Sequence, residues 1–153
     1  EVIGSKSSTD QFAVQLCVPV AKLKSAMVTV QCGMDGKDHD THYTYSLLNG
    51  RNSSVASYTN NTDNSEFEAS STYSAMFNRI ASNATNSDFM DTGGGQLQIH
   101  IEPNGHDTWN ITKITLRLDF DDNTTQQMSW QNLVISQNNK NLHLYFDQTL
   151  HAK

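Results

Sequence analysis

The feature that most constrains the fold is a strict alternation of apolar and polar residues. Leu97, Ile99 and Ile101 alternate with polar neighbours between Gln96 and Glu102. Successive side chains of an extended strand point to opposite faces, so this period of two predicts a strand with one face in a core and one in water. The same alternation occurs at Phe12, Val14, Leu16, Val18; Ala26, Val28, Val30, Cys32; Tyr43, Tyr45, Leu47; Ile114, Leu116, Leu118, Phe120; Met128, Trp130; Leu133, Ile135; and Leu142, Leu144, Phe146.

One long alternating segment changes parity. Trp109 and Ile111 lie on the opposite parity from Ile114 and the apolar residues that follow it. A β-bulge, in which one extra residue is inserted into a strand, turns both sets toward the same face. The sequence therefore predicts a bulge near Thr112.

The middle of the chain is less regular. Residues 49–66 are polar except for Val55 and Tyr58, which predicts a long loop carrying one edge strand. Residues 71–81 fit a strand or one short helix. Residues 82–95 are polar and end in three glycines, which predicts a flexible connection into the next strand.

Composition supports an all-β chain. Asn, Ser and Thr together supply 46 of the 153 residues, and these side chains favour turns and wet strand faces over helix interiors. About eight strands with short turns predict an all-β fold, a two-sheet antiparallel β-sandwich. No internal repeat or composition break divides the sequence, so we expect a single binding domain over residues 1–153.

The net charge of −6 narrows the possible partners. Nucleic acids attract basic surfaces, and the sequence contains no cluster of Lys and Arg, so nucleic-acid binding is not expected. Adhesion to anionic lipid also requires an intervening cation. No apolar run approaches the ~20 residues of a transmembrane segment.

Cys17 and Cys32 lie near the ends of two adjacent apolar segments. We predict a disulfide between them, which would close a short loop, and the alternative is two buried free thiols. The abrupt start at Glu1 is typical of a processed mature chain, so we expect a secreted protein. Glycosylation sequons, which matter only in a eukaryotic source, occur at Asn52, Asn60, Asn83, Asn110 and Asn123.

The densest acidic segment is the loop from Gly33 to Thr41. Asp35, Asp38 and Asp40 fall within six residues between two predicted strands. Hard cations such as calcium bind several oxygen ligands around one point, so this loop predicts a calcium site. The alternative is a solvated polar turn. A zinc site using nearby histidines is a weaker alternative, because no zinc-binding spacing is present.

A second candidate segment precedes the bulged strand. Asn104, followed by glycine, predicts a tight turn, after which His106, Asp107 and Trp109 project from the strand entrance. One interpretation is a ligand site, with the indole for stacking and the polar groups for hydrogen bonds to hydroxyls. Asp107 is also a candidate calcium ligand if the two loops meet. The alternative for Trp109 is packing in the core.

No catalytic signature is present. The sequence lacks a nucleophile elbow, a P-loop and a dinucleotide fingerprint. Adjacent carboxylates such as Asp121 and Asp122 lie on a predicted turn, without the apolar surroundings that raise the pKa of an acid catalyst. We therefore expect a protein that is not an enzyme, the alternative being a hydrolase whose site is assembled from distant residues.

A family resemblance rests on three segments. They are VTVQCGMDGKDHDTHYTYSLLNG (28–50), GQLQIHI (95–101) and GHDTWNITKITL (105–116), with Phe67 between the first two. Over roughly residues 26–130 the chain resembles PLAT/LH2 domains. Residues 51–66 and 133–146 depart from the family pattern.

The PLAT/LH2 resemblance implies an eight-stranded sandwich, often linked to calcium, that tethers proteins to membranes, lipids or partners. It places Asp35, Asp38 and Asp40 at the family's calcium loop, although no apolar loop tip or aromatic membrane anchor is evident. The predicted function is a secreted, non-catalytic, calcium-linked targeting module for lipid surfaces or a protein partner. The alternative is a carbohydrate-binding module or lectin that binds a glycan.

Overall fold

The computed structural model describes residues 19–60 and 66–153 and folds them into two antiparallel β-sheets with one short helix between two of the strands. The predicted strand at residues 12–18, with Cys17, lies outside the described residues. The elements are β1 (Leu23–Cys32), β2 (His42–Asn49), β3 (Ser54–Asn60), β4 (Thr72–Met76), β5 (Arg79–Ile80), α1 (Ser87–Met90), β6 (Gly95–Glu102), β7 (Thr108–Phe120), β8 (Thr125–Ser136) and β9 (Asn141–Phe146).

The two sheets form the β-sandwich that the alternation predicts. One has four strands in the order β4-β1-β7-β8, and the other has five in the order β5-β3-β2-β6-β9. Among the described residues, the apolar residues of the alternating segments point inward, and those of the two inner faces form one core cluster. The fold-class prediction is therefore confirmed for the described part of the chain.

The bulge predicted near Thr112 is present. Gln31 pairs with Lys113, whereas Cys32 pairs with Ile111, so Thr112 is an extra residue between two regular stretches of the β1–β7 ladder. Because of this insertion, apolar residues of both parities enter the core. The buried residues on the two sides of the bulge are Trp109, Ile111, Ile114, Leu116, Leu118 and Phe120.

The middle of the chain corrects two expectations. β3 lies within the polar stretch but is not an edge strand, because the two-residue strand β5 pairs with its outer side. Residues 71–81 form the strand alternative, as β4 and β5. The short helix α1 was not predicted in the polar segment before the glycines, where the buried Phe89 anchors it to the core.

Candidate binding site at the β1–β2 loop

Two loops meet at one end of the sandwich. The β1–β2 loop (33–41) and the β6–β7 loop (103–107) both cross between the sheets, and their flanking strands pair with each other. The Asp107 carboxylate accepts hydrogen bonds from the Thr41 hydroxyl and from the Asp38 backbone N–H, the latter with N···O 3.2 Å. The two loops therefore meet, as the sequence analysis required for Asp107 to act together with the acidic loop. In the structure the Asp107 carboxylate holds this loop in place.

A lysine lies inside the acidic loop. Lys37 is 0% exposed, and its Nζ donates to the carbonyl oxygens of Asp38 at 2.8 Å and Thr41 at 3.0 Å. The ammonium also lies 5.4 Å from the ring centre of Tyr43 and 5.0 Å from that of Phe67, within the range of cation–π attraction. Lys37 therefore acts as an internal cation around which the loop closes.

Burial and the neighbouring carboxylates shift the pKa of Lys37 in opposite directions. Burial lowers the pKa of Lys37 by removing water from its ammonium, and the negative charge of Asp107 is the largest influence in the opposite direction. Asp38, Asp40 and Glu66 also favour the charged form. The surrounding carboxylates thus compensate part of the desolvation penalty.

Residues 67–70 form a third segment, which hydrogen-bonds to the β1–β2 loop. The Phe67 N–H donates to the Lys37 carbonyl oxygen at 2.8 Å, and the Ser70 N–H donates to the Gly33 carbonyl oxygen at 2.8 Å. The backbone of Phe67 approaches Gly36 so closely that a Cβ there would lie 1.6 Å from the Phe67 carbonyl oxygen. Position 36 therefore accepts only glycine without a backbone shift.

The braced loop presents an apolar side chain to solvent. Met34 is 92% exposed, and the neighbouring Asp35 and Asp38 are also exposed. The Asn110 N–H donates to the Asp35 carbonyl oxygen, and Asn110 pairs with Val134, a second exposed apolar residue, on β8. The end of the sandwich thus carries an apolar tip that the sequence analysis did not identify.

The interior of the loop does not fit a resident calcium ion. Lys37 already donates to the Asp38 and Thr41 carbonyl oxygens, and its charge opposes a second cation inside the loop. Among residues 19–60 and 66–153 there is no group of three or more His, Cys, Asp or Glu side chains arranged to hold a metal. Calcium binding by Asp35, Asp38, Asp40 and Asp107 stays a prediction. Such binding would require further oxygen ligands from outside the protein.

The predicted ligand residues of the β6–β7 loop separate into two groups. Asn104 and His106 are exposed, and His106 Nδ1 lies 3.1 Å from Gln137 Nε2. Asp107 and Trp109 are buried. Trp109 is 0% exposed, so it offers no surface for ligand stacking, and the core-packing alternative describes it correctly.

The surroundings of Trp109 explain its burial. Its ring packs edge-on against Tyr43 and Phe67, with centroids 6.0 and 5.3 Å away, and its Nε1 donates to the sulfur of Cys32 at 3.3 Å. Cys32 is buried and has no disulfide partner among the described residues, and its pKa is raised mainly by burial. Its predicted disulfide partner, Cys17, lies outside the described residues, and the structure lends the disulfide no support.

Comparisons with known proteins find distant likenesses in structure. No family model matches the chain, and no curated protein matches it significantly. The lipoxygenase variant Delta413-417:GS LOX has a TM-score of 0.47 and 15% identity, covering 84% of this chain and 16% of that one. A calcium-dependent 11R-lipoxygenase has a TM-score of 0.46 and 14% identity, covering 80% of this chain and 17% of that one.

The chain therefore spans only a small fraction of the length of these lipoxygenases. A likeness of this degree supports no conclusion about activity or ligand. The class that the structure defines is a two-sheet antiparallel β-sandwich, an architecture compatible with a non-catalytic binding module. Within the described part of the chain, no helix is long and apolar enough to cross a membrane.

Substituting Asp38 by asparagine is expected to raise the free energy of unfolding at neutral pH. Burial, followed by the charges of Asp107, Asp40, Asp35 and Glu66, raises the pKa of Asp38 above 3.8. The folded state then retains the proton more strongly, so stability is lost as the pH rises through the folded pKa. Because Asp38 is exposed, and because its charge also favours the buried Lys37 ammonium, the net gain should be at most a few tenths of a kcal/mol.

The matched control for Asp38→Asn is Asp122→Asn in the β7–β8 turn. Hydrogen bonds from the Thr124 hydroxyl and N–H lower the pKa of Asp122, so its stabilising contribution is present above the ordinary pKa and lost in acid. Urea unfolding between pH 3 and 7 should give changes of opposite sign for the two variants. A loss of stability at neutral pH for Asp38→Asn would contradict the prediction.

Proposed function

We propose that this chain is a non-catalytic targeting module that docks the β1–β2 end of the sandwich on a phospholipid surface, with calcium as a bridging ion. The observation that carries the proposal is Met34, which is 92% exposed at the tip of a loop braced from inside. Binding residues lie disproportionately often on loops that a rigid scaffold positions.

Bracing makes the exposed methionine useful for binding. The Lys37 ammonium, the Asp107 carboxylate and the backbone of Phe67 each bond to the loop and hold its conformation. Little conformational freedom is then lost when the loop docks, so more of the interaction energy contributes to affinity. Methionine suits an irregular lipid surface because its side chain is unbranched and adaptable.

Calcium is needed because the protein and an anionic lipid surface are both negatively charged. A protein of net charge −6, with Asp35 and Asp38 exposed beside its docking tip, is repelled by anionic headgroups. A calcium ion shared between these carboxylates and lipid phosphate oxygens would reverse that repulsion. Calcium takes ~6–8 oxygen ligands, so a partly protein-bound ion requires oxygens from the lipid. We therefore expect calcium to bind much more tightly with vesicles than without them.

The test is sedimentation with vesicles of phosphatidylcholine and phosphatidylserine, in millimolar calcium or in chelator. We expect the protein to sediment only with calcium. Met34→Ser should weaken binding about tenfold, which corresponds to about 1.4 kcal/mol of lost apolar contact. The matched control is Met76→Ser, which removes a half-exposed methionine from the outer face of β4 and should leave binding unchanged.

Three results would overturn parts of the proposal. Absence of sedimentation in both conditions would rule out lipid docking and favour a protein partner. Equal binding by the Met34→Ser variant and the unsubstituted protein would show that this loop is not the docking surface. Binding that persists in chelator would remove calcium from the mechanism and leave direct apolar contact.

A further inference from the structure

We infer that a second binding subsite, for the sugar ring of a glycan, lies on the outer face of the five-stranded sheet around Tyr145. The subsite is remote from the β1–β2 loop. It lies at the end of the sheet where β2 ends and β6 begins, whereas the loop lies at the opposite end. Tyr145 is 50% exposed, and it is one of the few large side chains that the sheet presents to solvent.

The ring borders a shallow depression of about 160 Å³. Ligand pockets for drug-sized molecules occupy about 300–1,000 Å³, so this depression accommodates a single ring rather than a large cofactor. The described residues that line it are neutral except for Lys153. The polar and charged lining comes from Asn49, Asn52, Thr92, Gln96, Tyr145 and Lys153.

A hydrogen-bond network fixes the polar groups. Gln96 is 7% exposed; its Nε2 donates to Asn52 Oδ1 at 2.9 Å, and its Oε1 lies 2.9 Å from His143 Nδ1. The His143 ring stacks on Tyr145, with centroids 6.4 Å apart and planes 18° apart. The network therefore holds an amide and an aromatic ring in a defined relation before any ligand arrives, which lowers the entropic cost of binding.

Donors remain available at this subsite. Asn52 Oδ1 is occupied by Gln96, while the Asn52 Nδ2 and the Tyr145 hydroxyl have no hydrogen-bond partner among residues 19–60 and 66–153. Asn49 Oδ1 accepts from the N–H groups of Arg51 and Ser53, so its Nδ2 is also left to donate. The Asn49 and Asn52 amides are oriented through their Oδ1 atoms, which leaves their Nδ2 groups as donors for a ligand.

The chemistry matches a neutral, polyhydroxylated ring. A sugar presents an apolar C–H face, which packs against an aromatic ring, and hydroxyl groups around its edge, which accept from amide donors. An anionic ligand would require more positive charge than Lys153 alone supplies. A nucleic acid is disfavoured for the same reason and by the net charge of −6.

The experiment uses unglycosylated protein, because Asn52 begins a sequon and a glycan attached there would cover the subsite. The protein is first applied to a glycan array. It is then titrated with glucose, galactose, mannose and N-acetylglucosamine at millimolar concentrations while amide NMR signals are followed. We expect at least one of these sugars to shift the signals of Asn52, Gln96 and Tyr145.

Two substitutions at Tyr145 distinguish a sugar platform from a structural role. Tyr145→Ala should weaken sugar binding at least tenfold, whereas Tyr145→Phe keeps the ring and should stay within about threefold. Both variants should keep the native fold, because the contact of Tyr145 with Trp130 is made by its backbone oxygen. The Met34→Ser variant is the matched control and should bind sugar normally.

The inference fails if neither the array nor any titration gives a response, or if the response is unchanged in the Tyr145→Ala variant. Its failure is separable from that of lipid docking. Tyr145→Ala should leave vesicle sedimentation intact, and Met34→Ser should leave the sugar response intact. A signal that is lost in both variants would show a general effect on folding and contradict two independent surfaces.

Discussion

Replacing Lys37 by methionine is expected to lower the free energy of unfolding by about 3 kcal/mol or more, because removal of one partner of a buried charge arrangement typically costs ~3–5 kcal/mol. The substitution keeps most of the side-chain volume but removes the ammonium. The Asp107 carboxylate, which is also buried, would then lose its neighbouring positive charge. The carbonyl oxygens of Asp38 and Thr41 would lose their donor as well.

Urea unfolding followed by tryptophan fluorescence would measure the effect of Lys37→Met. The matched control is Lys113→Met, which removes an exposed lysine from the outer face of β7 and should change stability by less than about 0.5 kcal/mol. Adding Asp107→Asn to Lys37→Met should recover part of the loss, because the carboxylate left without its cation is then neutral. Equal stability of the Lys37→Met variant and the unsubstituted protein would show that the ammonium is not the internal cation of the loop.

Truncating Trp109 to alanine is expected to cost about 3–5 kcal/mol, the usual range for removing a large buried aromatic side chain. The indole is buried in the core against Tyr43 and Phe67, and its N–H contacts Cys32. Trp109→Phe should cost less, because much of the ring volume remains. The matched control is Tyr145→Ala, which truncates a half-exposed aromatic residue and should cost far less.

Thermal and urea unfolding would check the Trp109 prediction, and the sugar titration adds a functional readout. A core residue affects stability without altering ligand contacts, so Trp109→Phe should bind sugar normally. Selective loss of ligand binding at unchanged stability would instead restore Trp109 to a ligand site. That outcome would require the indole to reach solvent, which the structure does not show.

The strands could be predicted from sequence because their signal is local. Alternation at Leu97, Ile99 and Ile101 reports directly on which side of a strand is buried, and the parity change before Ile114 identified the bulge. The position of β3 could not be predicted, because it depends on pairing with the two-residue strand β5 from a later part of the chain. Nothing within residues 54–60 indicates that partner.

The candidate site was predicted only in part, for a similar reason. A lysine between glycine and aspartate is normally solvated, and the burial of Lys37 depends on Phe67, which lies 30 positions later and packs against it. The exposure of Met34 follows from the same bracing. The exposure of Tyr145 could have been predicted from the sequence, because the alternation of Leu142, Leu144 and Phe146 leaves it facing outward.

The strand order β4-β1-β7-β8 has a consequence for how the chain acquires its structure. The central pair, β1 and β7, joins distant parts of the sequence: Ser25 contacts Asp119, 94 positions away, and Cys32 contacts Trp109, 77 positions away. Contacts of such separation carry a large loop-closure entropy before they give any stabilisation, and proteins dominated by them fold in milliseconds to seconds rather than microseconds. During synthesis the hydrogen-bonding edge of β1 emerges long before β7 exists to pair with it, so this unpaired edge is exposed to aggregation until β7 has been made.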